Sequence, residues 1–184
     1  MRKIAIIGSG TWGLALASYL ANQGNDVKVW SFAKEEVEMI QNERRCKFLP
    51  QLVIPENVEA SQDAKYVVED AEIILHVTPS KFVRSTLQVY KDYVKPEQPI
   101  IMCSKGFEPV TEKTFDVVIE EEIPGTKFGV LSGPSHAEEV SIGVPTVLVI
   151  ASKDENKGDD NGENKAKEKL ICGVTIFEKV NEQD

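Results

Sequence analysis

An apolar, branched run, Ile4-Ala-Ile-Ile7, leads directly into Gly8-Ser-Gly10-Thr-Trp12-Gly13 and then into an alanine-rich helical pattern through Ala17. This order of buried strand, glycine turn and helix constrains the fold more than any other feature of the chain. Glycine at 8 allows a tight turn, and glycine at 13 lets the helix pack close to the strand. Glycine at 10 lets the backbone approach a pyrophosphate with no Cβ in the way. The helix that follows points its free N–H groups and the positive end of its dipole at that position. The pattern therefore predicts a β-α unit that binds a dinucleotide. The alternative is a β-α turn with no ligand.

The chain has 184 residues, 41% of them hydrophobic, enough for one domain or one domain and the start of another. A formal net charge of −9 and an isoelectric point near 4.9 disfavour nonspecific attraction to nucleic acid or to anionic membrane. Cys46, Cys103 and Cys172 share no metal-like spacing, so no metal site is expected, and an odd count argues against a disulfide framework. Reduced thiols in a cytoplasmic protein are the expectation. The first apolar run is too short for a signal peptide or a membrane span.

Strand and helix patterns alternate along the chain. Strands are predicted at 3–8, 26–30, 72–77, 99–103, 128–132 and 146–151. Helices are predicted at 12–23, 33–44, 64–69, 82–93, 111–122 and 135–141. Residues 46–57, with Pro50 and Pro55, read as loop. Several strands are apolar nearly throughout, as in a sheet covered on both faces. The expected fold is α/β: a doubly wound, mostly parallel sheet of the Rossmann type. Residues 1–152 form the dinucleotide-binding domain in this reading. Residues 153–169 are a charged, flexible segment, and 170–184 supply a final strand and tail of the same domain. Asp159-Asp160-Asn161-Gly162 has the look of a calcium loop but lacks the later glutamate, so it is read as solvated chain.

Five segments together resemble one family. Gly8–Gly13, Phe48-Leu-Pro50, Val77-Thr-Pro-Ser80, Ser104-Lys-Gly-Phe-Glu108 and Leu131-Ser-Gly-Pro-Ser-His-Ala-Glu-Glu-Val140 look like the bacterial-type NAD(P)-dependent glycerol-3-phosphate dehydrogenases, in order and approximate spacing. The resemblance spans about residues 3–152 and continues weakly through 170–178. It implies reduction of dihydroxyacetone phosphate to sn-glycerol 3-phosphate for phospholipid synthesis. It also implies a small phosphorylated substrate and NAD or NADP as cofactor. It places Gly8, Gly10, Thr11, Trp12, Gly13, Phe48, Lys105 and Ala137 at the cofactor, and Lys105, Gly133 and Ser135 at the substrate. Lys105 is thus the catalytic candidate within this chain.

The residue types suit these roles. Lys105 follows a parallel strand, at the end where open α/β sheets bind ligands, so its amine could neutralise a phosphate or polarise a carbonyl; the alternative is a surface lysine. Ser135-His-Ala-Glu138 fits a capping box, with substrate-facing amides beside it; the alternative is a capped helix without a ligand. Val77-Thr-Pro-Ser80 would wall the nicotinamide side or only start a helix with Ser80 as N-cap. Phe48 packs on the cofactor or anchors a core. Trp30 and His76, within apolar strands, read as core residues. His136 reaches either the ligand or solvent.

The chain departs from the family in two places. Where bacterial members often carry a basic residue after the second strand, this chain has Phe32-Ala33; Lys34 could stand in as a point charge, and no carboxylate falls at the strand end. Coenzyme preference stays open on these residues, with a lean to NAD. The family's helical C-terminal domain, with a general acid/base lysine in a Gly-Ala-(Val/Leu)-Lys-Asn motif, is absent before Asp184, and Lys179 is no match for it. Dinucleotide binding with poor turnover is therefore expected. A non-enzymatic NAD(H)-binding module is the alternative, and an exposed edge or apolar face could drive assembly into a homodimer.

Overall fold

The computed structural model describes residues 1–154 and 169–177, and side chains through residue 152. Strands β1 (Lys3–Ile7), β2 (Asp26–Trp30), β5 (Val58–Ser61), β6 (Ile73–His76), β7 (Ile100–Met102), β8 (Phe128–Ser132), β9 (Thr146–Asp154) and β10 (Lys169–Phe177) form one sheet. A separate two-stranded ribbon pairs β3 (Arg45–Cys46) with β4 (Leu49–Val53). The sheet order is β10-β9-β8-β7-β6-β1-β2-β5. From β5 to β8 every pairing is parallel; β9 and β10 are antiparallel to their neighbours. The chain builds outward from β1 through β2 to β5, then crosses back to β6 and continues the other way. The reversal between β1 and β6 is the switch point that opens a crevice in folds of this kind.

Helices cover both faces, as continuous apolar strands require. Ile4 and Ile6 of β1 point to one core, with α1 (Thr11–Asn22), α6 (Ala137–Ser141) and the β3–β4 ribbon. Ala5 and Ile7 point to the other, with α3 (Ala64–Val68), α4 (Val83–Tyr90) and α5 (Phe115–Glu122). Alternation along a single strand thus sorts side chains into two layers.

Several elements differ from the sequence reading. The helix expected at 33–44 splits into α2 (Lys34–Glu38) and a π-helical stretch, Met39–Glu43, closed by Arg44 at φ 54°. Within the loop expected at 46–57 lies the β3–β4 ribbon. Pro50 is tolerated there because an edge ribbon leaves amides that need no ladder partner. α5 starts at Phe115, four residues after the expected start. β9 runs on to Asp154, and β10 starts at Lys169, so the ends of the expected charged segment are extended strand. The calcium-like stretch 159–162 and the rest of that segment lie outside the described residues, as does the tail beyond Phe177.

Candidate cofactor and substrate cleft

A cleft of about 930 Å³ opens over the carboxyl ends of β1, β2, β6, β7 and β8. The glycine turn forms its floor. Gly8 adopts φ +123°, and a Cβ there would come within 2.6 Å of the Val77 carbonyl oxygen. A Cβ on Gly13 would come within 2.1 Å of the Gly8 carbonyl oxygen. Both glycines are thus demanded by the protein's own packing. Gly10 is different: its φ is −67°, and a Cβ would meet nothing within 4 Å. Neither backbone conformation nor packing asks for glycine at 10, and the space it leaves opens on the cleft. Gly10 is also the N-cap of α1, with no side-chain cap and no acidic residue in the first turn. The donors at this helix start are therefore left to an anion in the cleft. The residues fit a pyrophosphate.

Thr11, Trp12, Lys105, Gly133, Ser135 and Ala137 line the same cleft. Lys105 is exposed beyond β7 and has no ion-pair partner among the described residues. The Ser104 hydroxyl donates to the Thr78 carbonyl at 2.5 Å and ties the Lys105 loop to the end of β6. Below it, Cys103 lines the cleft wall; burial pushes its thiol up to about 12, so it remains protonated. Gly133 sits at φ +156°, where a Cβ would come within 2.6 Å of the Val147 carbonyl oxygen. This packs the β8–α6 turn onto β9.

The capping box does not form. α6 starts at Ala137 with His136 at the N-cap and no side-chain cap bond. The Ser135 amide instead donates back to the Gly133 carbonyl at 3.0 Å, which keeps Ser135 one residue outside the helix, at the cleft wall. His136 is exposed at the same wall. Val77, Thr78 and Pro79 line the cleft as well. A 3-10 turn, Ser80–Phe82, follows them with Pro79 at its N-cap, so Ser80 caps nothing.

Phe48 does not line the cleft. It lies at the turn of the β3–β4 ribbon, 68% exposed, with Lys47 over its ring. Its neighbour Leu49 is the buried anchor. Trp30 and His76 are core residues. Trp30 is buried at the edge of the cleft and donates to the Gln62 carbonyl at 2.9 Å. His76 is enclosed between Tyr90 Oη at 2.9 Å and Thr78 Oγ1 at 2.7 Å. Burial holds its ring at about 3, so it stays neutral at physiological pH.

One cleft residue escaped the sequence reading. Glu36, on α2, reaches back to the end of β2. Its Oε2 accepts from Ser31 Oγ at 2.7 Å and from Ser9 Oγ. The sequence shows no carboxylate adjoining β2, because the side chain returns there only once α2 has turned. Lys34 does not replace a basic residue at the cleft. It is exposed, pairs with Glu38 at 3.5 Å, and is not among the lining residues.

A parallel doubly wound sheet with a glycine turn and an uncapped helix at its switch point defines the class of dinucleotide-binding α/β domains. Within that class, residues 3–158 match the model of the N-terminal domain of NAD-dependent glycerol-3-phosphate dehydrogenase, and the chain belongs to that family. It is 41% identical over 155 residues to glycerol-3-phosphate dehydrogenase (NAD(P)+) of Fusobacterium nucleatum, covering 83% of this chain and 46% of that protein. It is 38% identical over 161 residues to a second such enzyme, from Lactobacillus delbrueckii, covering 84% of this chain and 48% of that one. The crystal structure of glycerol-3-phosphate dehydrogenase from Coxiella burnetii superposes with a TM-score of 0.74 at 33% identity, covering 79% of this chain and 45% of that one. The chain therefore spans about half the length of the relatives it matches. No helix among the described residues is long and apolar enough to cross a membrane.

Proposed function

We propose that the cleft binds NAD(H) or NADP(H), and that this chain is the cofactor-binding part of an enzyme that reduces dihydroxyacetone phosphate to sn-glycerol 3-phosphate. The observation that carries this reading is Gly10, a glycine with no internal reason to be one, beneath an uncapped helix start. Held at the Gly8–Gly13 turn, a reduced nicotinamide coenzyme would supply the hydride for the ketone carbon, with the proton for the carbonyl oxygen drawn from solvent or a protein acid.

The chain's own residues hold and polarise. Lys105 is the catalytic candidate: an amine at the cleft wall can neutralise the substrate phosphate or draw charge onto the carbonyl oxygen. Gly8, Gly10, Thr11, Trp12, Gly13 and Ala137 face the cofactor in this reading, and Gly133 and Ser135 face the substrate. Phe48 lies outside the cleft lining, so a cofactor contact would need the β3–β4 ribbon to move. Residues 1–152 form the binding unit, with β10 completing the sheet edge. The proposal includes a role in glycerophospholipid synthesis in the cytoplasm and assembly as a homodimer, and the charge of −9 disfavours a nucleic-acid partner.

The test is calorimetry and tryptophan fluorescence with NADH and NADPH, then with dihydroxyacetone phosphate. Trp12 lines the cleft, so its emission should change on the first addition and again on the second. No heat with either coenzyme at millimolar concentration overturns the reading. A response to coenzyme alone reduces it to a dinucleotide-binding module.

A further inference from the structure

Three chain segments meet at the end of β2 in a polar triangle. Ser31, buried, follows the last residue of β2; Ser9 belongs to the glycine turn; Glu36 lies on α2. Ser9 Oγ and Ser31 Oγ are 2.7 Å apart, and both bond Glu36 Oε2. The Ala33 amide donates to Ser31 Oγ at 3.2 Å and fixes that hydroxyl from the other side. The carboxylate is thus pinned at the cleft wall before any ligand arrives. Its other oxygen, Oε1, has no hydrogen-bond partner among the described residues, and Glu36 lines the cleft.

Among the described residues that line this end of the cleft, none is a lysine or arginine. Its lip is Phe32, 85% exposed, and Ala33. Lysine or arginine occurs among the cleft-lining residues only as Lys105, which follows β7 on the far side of the switch point. In sheets of this topology the adenosine ribose of a dinucleotide lies at the end of the second strand. A free carboxylate oxygen there can accept from ribose hydroxyls, whereas a phosphate on the 2′ oxygen would meet a fixed negative charge.

We infer that Glu36, held by Ser9 and Ser31, makes this cleft select NAD(H) against NADP(H). The inference rests on the dinucleotide-binding reading above and adds the coenzyme to it. Because two hydroxyls already order the carboxylate, little side-chain entropy is lost when it meets the ribose.

The experiment is calorimetric titration of the 184-residue chain with NADH and with NADPH at one fixed ionic strength. NADH should bind about tenfold more tightly or better, as expected for a like-charge clash at a polar site. Glu36→Gln keeps the shape and removes the charge; it should weaken NADH modestly, tighten NADPH, and bring the ratio towards one. Phe32→Arg leaves the triangle intact and adds a guanidinium at the lip; it should tighten NADPH. A Glu36→Gln protein that does not fold leaves the wild-type ratio and Phe32→Arg to decide. Equal affinity for the two coenzymes, or tighter NADPH, in the wild type overturns the inference alone. So does a ratio that neither variant moves. Binding of neither coenzyme overturns it together with the dinucleotide reading.

Discussion

Gly10 and Gly13 stand three residues apart and are glycine for opposite reasons. Gly13 makes room for the Gly8 carbonyl oxygen, whereas a Cβ on Gly10 would meet nothing within 4 Å, and the proposed coenzyme is what would use that space. Alanine should separate the two. Gly13→Ala is expected to cost about 1–3 kcal/mol or more through overpacking against backbone. That lowers the melting temperature by roughly 2–4 °C per kcal/mol in a chain of this size. Gly10→Ala should melt as the wild type does and lose coenzyme affinity. Thermal melts paired with NADH titration check both; a Gly10→Ala protein that binds normally would remove the assignment of that glycine. Residue types in the glycine turn were legible in the sequence because covalent geometry and sterics limit what can sit there. Glu36 was not, because its position depends on the path of α2 through space. The capping box around Ser135 was misread for a related reason: the motif specifies a bond the side chain can make, while the Ser135 amide had already turned back to Gly133.

At the scale of elements, Arg84 joins what the sequence leaves separate. It projects from α4 and grips Glu108 with two nitrogens, at 2.6 and 2.9 Å. It also bonds Glu121 at 2.7 Å and Glu122 at 2.9 Å, both on α5. Glu108 lies in the loop that carries Lys105, so this cluster anchors that loop to two helices. Arg84→Met should raise amide hydrogen exchange across residues 104–113, while exchange in β1 stays slow. Unchanged exchange in the loop would show that Ser104 and Thr78 hold it unaided. Helices and strands with strong apolar patterns were legible in outline. The β3–β4 ribbon was not: Pro50 within it and Pro55 just beyond it resemble loop chemistry, and the ribbon packs over α1 and α6.

For the whole molecule, His76 and Glu108 shape the response to acid, together with Glu121 and Glu122, which are also held below the ordinary carboxylate range. His76 is held at about 3, below its ordinary 6.5, because burial disfavours its cation. Its contribution is complete above pH 6.5 and is lost as pH falls towards 3, at no more than about 1.4 kcal/mol per pH unit. Glu108 is held at about 2, below its ordinary 4.5, chiefly by the Arg84 hydrogen bonds and then by Thr111. Its contribution is complete above pH 4.5 and is lost on the way down to 2. Melting temperature should therefore begin to fall below pH 6.5 and fall faster below 4.5. His76→Gln should flatten the first stretch and leave the second; a profile identical to wild type would show that His76 is not the group responsible. These couplings join residues far apart in the chain, His76 to Tyr90 and Arg84 to Glu108, Glu121 and Glu122, which is why no local stretch of sequence discloses them.

The Gly8 turn is wedged between the Val77 carbonyl on one side and the start of α1 on the other. Backbone there touches backbone, with no side chain between to act as a cushion. The two halves of the switch-point crevice are in effect a single stiff casting. A nucleotide should find its seat already cut and dock without waiting for the walls to rearrange. The Lys105 loop, moored by Ser104 and Glu108, and the Gly133–Ser135 turn, pressed against the Val147 backbone, carry the same mould around the rim.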